Sequence, residues 1–148
     1  MDLTPVTDRR TDGRLTWWVE AGPAEEIMAA LHPGRDVLMT DIQIAGPGVN
    51  EGWGFGGPPL EDGKRVEFMY GRAQDGTEFV IARFDPTLPA LHLETTRRVI
   101  TVDARRLPVH FGLKFWAQPI PADEEFVTAY GDPSESPPLG WAPQRHDG

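Results

Sequence analysis

The chain has 148 residues, 39% of them hydrophobic and 25% charged, with no cysteine and a formal net charge of −9. That length suits one domain, which can bury roughly 68–70% of its unfolded surface without a metal or disulfide staple. The absent cysteines exclude a disulfide framework, a zinc ribbon and a thiol nucleophile, and the excess of acids argues against nucleic acid, whose phosphates call for a basic face.

Residues 1–12 are polar and read as a loose segment ahead of a single β-rich domain over 13–130. The start holds no apolar run of secretory type, and no run anywhere nears the ~18 residues that span a bilayer. A cytoplasmic protein without membrane contact is expected. Of the 14 basic residues only Lys64 and Lys114 are lysine, a bias that fits a GC-rich bacterial coding sequence.

Leu15, Trp17 and Val19 alternate with Thr16, Trp18 and Glu20, the period of a strand. Pro23, followed by Glu25 and Glu26, opens a short helical pattern that His32-Pro33-Gly34 closes. From Val37 to Ala45 a second strand puts Leu38, Thr40, Ile42 and Ile44 on one face and Met39, Asp41 and Gln43 on the other. Gly46 to Gly63 reads as a long Gly/Pro loop carrying Trp53 and Phe55, the kind of segment that serves as a lid.

Lys64–Arg72 and Thr77–Phe84 form a hairpin turned by Asp75-Gly76. Further strands are expected at 91–95, 98–104 and 109–118, the last with Val109, Phe111, Leu113 and Phe115 opposed to His110, Lys114 and Trp116. Ala122 to Tyr130 predicts a second short helix, and 131–148 a Pro-rich tail. With too little helix for parallel crossovers, this inventory predicts an antiparallel β-sandwich or small β-barrel with one or two short helices. An α+β fold with one covered antiparallel sheet is the alternative.

Elimination narrows the chemistry. The only serines, Ser134 and Ser136, lie in the tail, where no rigid scaffold could aim a nucleophile. No P-loop motif occurs. Gly52, Gly54 and Gly57 spell the dinucleotide fingerprint, but Pro58-Pro59 removes the helix that must follow it. His92, Glu94 and His110 make up a metal ligand set, yet no spacing brings the third to the first two. Neither metal nor cofactor is expected.

The strand faces opposite the apolar stripes mix tryptophan, methionine and carboxylates, as a ligand cavity does. Glu20, Asp41, Glu67 and His110 are the candidate proton-transfer groups, with Trp18, Trp53, Phe55, Met69, Lys114 and Trp116 as the lining that binds substrate. The first expectation is therefore a small-molecule-binding β-domain, a cofactor-independent acid/base enzyme of cyclase or isomerase type. The alternative is a non-catalytic acidic interaction module, inhibitor-like or immunity-like, for which the charge of −9 speaks. The same face could serve instead as a homodimer interface.

Overall fold

Alternation dictates the first long strand. Leu15, Trp17, Val19 and Ala21 are buried, while Thr16, Trp18 and Glu20 between them stay half-exposed. The computed structural model of the chain describes residues 3–24, 37–60, 63–132 and 134. Within them run β1 (Thr4–Pro5), β2 (Arg10–Asp12), β3 (Leu15–Pro23), β4 (Leu38–Gly46), β5 (Val49–Phe55) and β6 (Val66–Arg72). After these come β7 (Glu78–Phe84), β8 (Ala90–Thr95), β9 (Val99–Asp103), β10 (Lys114–Ile120) and β11 (Phe126–Tyr130).

All pairings are antiparallel and fall into three open sheets. Sheet A has the order β1-β3-β4-β5, with β2 also on β3; sheet B is β10-β7-β6; sheet C is β11-β8-β9. The architecture is thus mainly β and sandwich-like, as the strand periodicity implies.

Sheet B lies in the middle. Phe79 and Ile81 of β7, with Phe115 and Ala117 of β10, pack on Trp17, Val19, Ile42 and Ile44 of sheet A. From the other side of the same strands, Val80, Ala82, Phe84 and Ile120 pack on Leu91, Leu93, Val102 and Phe126 of sheet C. Every side chain of β7 is consequently buried. This explains its continuous apolar run Phe79–Ala82, the pattern of a strand covered on both faces. Phe79, Val80, Ile81 and Phe84 each contribute about 1.5–3 kcal/mol by leaving water.

Several expectations are corrected. The Gly/Pro segment forms β5 rather than a loop, hairpinned to β4 through Pro47-Gly48, where Gly48 takes a φ of 74°. Val49, Glu51, Trp53 and Phe55 alternate with Asn50, Gly52 and Gly54, so the period of two is present but half its positions carry little or no side chain. The expected helix over 122–130 is a turn, closed by the Glu124 amide on the Pro121 carbonyl, and then β11. Phe126, Thr128 and Tyr130 are strand formers, and they find partners on β8.

Val109 to Leu113 is not strand. His110 and Leu113 exchange both backbone hydrogen bonds around Phe111 and Gly112, whose φ angles of 53° and 75° make a two-residue hairpin turn. Val109 and Phe111 are left 54% and 49% exposed instead of facing inward. Two short strands, β1 and β2, fall in the segment expected to be loose. Pro23 ends β3 rather than starting a helix, and the rest of that helical expectation, from 25 to its close at 32–34, lies outside the described residues, as does most of the tail. Among the described residues no helix is long and apolar enough to cross a membrane.

Candidate functional site

The outer face of sheet A carries the densest set of predicted residues. Register places Glu20 directly opposite Asp41 and Trp18 opposite Gln43. One strand further, Asp41 faces Gly54 and Gln43 faces Gly52. The absent side chains on β5 let its neighbours lie flat. A Cβ at Gly52 would stand 2.6 Å from Gln43 Oε1, and one at Gly54 would stand 2.3 Å from Asp41 Oδ1. The Trp18 indole N–H donates to Glu20 Oε2 at 3.0 Å, which fixes the ring, and the Arg9 guanidinium lies over that ring at 4.0 Å. Burial, and then the Glu20 charge, push the Asp41 carboxyl above the ordinary aspartate range.

The remaining predicted residues lie elsewhere. Trp53 and Phe55 point inward onto the core between sheets A and B, and Trp53 donates to Glu51 Oε1 at 3.1 Å. Glu67 faces the wholly buried Arg83, with Oε1 at 3.4 Å from its Nε, and accepts the Leu60 amide at 2.6 Å. Arg83 also donates to the Leu38 and Gly57 carbonyls at 2.7 and 3.2 Å and lies 4.6 Å over the Phe55 ring. Glu67 is thus engaged in holding sheets A and B together. Met69 pairs with Ile81 on the same side of sheet B.

Lys114 and Trp116 sit on the opposite side, paired with Phe84 and Ala82. Lys114 is buried and donates to the Ala104 carbonyl. Trp116 donates to Gln118 Oε1 at 3.0 Å and lies under Arg10 at 4.2 Å. His110 belongs to the tight turn before β10. The ten side chains therefore do not share one hollow. Between sheets A and B, Trp17 lies edge-on to Phe79 at 5.5 Å with its indole donating to the Ala117 carbonyl, and a cleft of about 310 Å³ at one end is lined by Leu15, Trp17, Phe79 and Pro119 but by none of the ten.

His92 and Glu94 do share the outer face of sheet C. His92 Nδ1 lies 3.2 Å from Thr101 Oγ1, and the His92 ring is 5.4 Å from that of Tyr130. Burial, and then the Glu94 carboxylate to which its hydroxyl hydrogen-bonds, raise the Tyr130 phenol above its usual range. Among the described residues, no three His, Asp or Glu side chains gather as a metal ion requires.

Sequence reasoning missed a cleft of about 620 Å³ between the β6–β7 turn and the β10–β11 turn, lined by Asp12, Arg72, Asp75, Glu78 and Glu124 among others. Two of its acids are committed to the fold. Glu124 binds Arg98 Nη2 at 2.7 Å and accepts from Thr95 at 2.6 Å, while Glu78 accepts the Phe126 amide at 2.9 Å. Also missed were Arg9 and Arg10, since nothing in a single sequence pairs an arginine with a tryptophan on another strand. The chain matches no family model, no curated protein and no solved structure.

Proposed function

We propose that the chain is a non-catalytic interaction domain that takes a basic partner on the outer face of sheet A. The observation that carries this reading is the pair Glu20 and Asp41, set directly opposite one another beside Trp18 on the outer, half-buried face of sheet A. Like charges in register destabilise a sheet, a cost that a cation bound across them would relieve. The net charge of −9 would steer such a partner in, and the indole supplies an apolar, quadrupolar platform for its cationic groups.

The reading is supported further by where the proton-transfer candidates lie. Glu67 serves Arg83, and His110 sits in a turn, so Glu20 and Asp41 are the two left side by side. A small-molecule acid/base site keeps one observation in its favour, the raised proton affinity of Asp41. It would be a two-carboxylate site on a half-buried sheet face.

Calorimetric titration with nona-arginine tests the proposal. Glu20→Gln with Asp41→Asn should weaken binding roughly tenfold, since two partly exposed ion pairs are worth about 0.5–1 kcal/mol each. Affinity should fall steeply with added salt. It should also fall on acidification from a higher pH than an ordinary aspartate would dictate, because Asp41 takes up its proton early. Binding indifferent to salt and to both substitutions would end the reading. A small molecule retained in native mass spectra and lost in Asp41→Asn would favour the acid/base site instead.

A further inference from the structure

The strap that runs from β1 to β2 ends in two adjacent arginines, and each lies on a tryptophan of a different sheet. Arg9 is 4.0 Å over Trp18 of sheet A and Arg10 is 4.2 Å over Trp116 of sheet B. Both arginines are exposed, and among the described residues neither has a carboxylate partner. In an extended chain successive side chains point to opposite sides, so a dibasic pair can reach two platforms at once.

The platforms do not depend on the strap. Trp18 is fixed by Glu20 and Trp116 by Gln118, each two residues along its own strand. The strap, by contrast, is held lightly. β1 pairs with β3 at two residues and β2 at three. Between those pairings four strap residues, Val6 to Arg9, stand opposite only Trp18 and Val19; the Val6 amide still donates to the Val19 carbonyl at 2.9 Å, and the regular ladder is interrupted beyond it. The Val19 amide is satisfied by the Thr7 hydroxyl at 2.9 Å instead of a strand carbonyl. Only Val6 reaches the core. A straight strand on the same edge could restore the regular ladder, the mode by which extended peptides add to sheets.

We propose that Trp18 and Trp116, with the edge of β3 on which β1 and β2 lie, form a recognition site for an extended Arg-Arg segment of a partner protein, and that the chain's own Arg9–Arg10 strap occupies it as an autoinhibitory stand-in. The inference rests on the interaction reading above and names the partner chemistry. Arginine is specified over lysine because a planar guanidinium stacks on an indole face while an ammonium acts as a point charge.

The test uses Arg9→Ala with Arg10→Ala in the full chain and a fluorescein-labelled peptide copied from residues 6–12, read by anisotropy. The variant should bind the peptide about tenfold more tightly than the unaltered chain, as two vacated cation–π contacts imply. A peptide with Ala-Ala in place of Arg-Arg should bind neither protein, and Lys-Lys should bind more weakly than Arg-Arg. Trp18→Ala or Trp116→Ala in the variant should each reduce the gain. Arg9→Lys with Arg10→Lys, which keeps the strap's charge, should give an intermediate affinity. Equal affinity for variant and unaltered chain, or equal binding of the Ala-Ala peptide, would overturn the proposal. If the peptide fails while nona-arginine still binds through Glu20 and Asp41, this inference falls and the interaction reading stands; loss of both ends both.

Discussion

Among the described residues Arg83 is the largest side chain wholly out of water, and its charge is met from several directions. Glu67 supplies the counter-charge, two backbone carbonyls and the Thr40 hydroxyl accept its protons, and the Phe55 ring lies beneath it. A buried ion can be tolerated when it is fully hydrogen-bonded, but removing its partner is costly because the remaining charge stays desolvated. Glu67→Gln is therefore expected to destabilise the fold by about 3 kcal/mol, as measured by denaturant melting. An unchanged midpoint would mean that the carbonyls alone suffice. Read as a sequence, Glu67 on a strand face beside Met69 suggests a proton-transfer group. Its ion pair is with an arginine 16 residues away in chain and opposite in register, which local spacing does not disclose. Glu20 and Asp41 were legible as neighbours of one face because both sit on long strands with clean alternation.

At the level of elements, β5 is held by what its glycines lack. A Cβ at Gly54 would come within 2.0 Å of the Thr40 carbonyl oxygen, a backbone atom that cannot swing aside. At Gly52 the obstruction is the far end of the Gln43 side chain, which can. Gly54→Ala should consequently cost about 2–3 kcal/mol, within the usual range for overpacking, while Gly52→Ala stays within about 0.5 kcal/mol; thermal melts of the two variants decide it. Equal effects would mean that β4 and β5 part more easily than their register implies. The same glycines explain why this strand reads as a loop: hydropathy alternation needs side chains at both phases. The short turn His110–Leu113 escaped for the opposite reason. Phe111 looks like a strand residue, yet it occupies the left-handed backbone position that Asn or Gly usually fills. Ahead of short β11 the acids Asp123 to Glu125 resemble a first helical turn, so that local pattern does not distinguish helix from strand there.

For the whole molecule, the antiparallel β class follows from composition and period alone, but the stacking of three sheets does not. Sheet B closes only when β10 returns past β8 and β9 to pair with β7, and β11 then returns to β8. Such long-range choices are settled by which faces fit together, a property of the assembled layers. β7 records the outcome, since its Phe79–Ala82 run supplies both cores at once. Neither layer can peel away without exposing one side of that strand. Sheets A and C should therefore lose their structure in a single transition. In heavy water this makes the amides of Ile81 and Ala82 the slowest to trade protons for deuterons, at a rate set by opening of the entire molecule. Their protection, followed residue by residue in NMR spectra, would serve as an internal clock for global unfolding. Early labelling at those two positions would reveal that the three layers come apart one at a time.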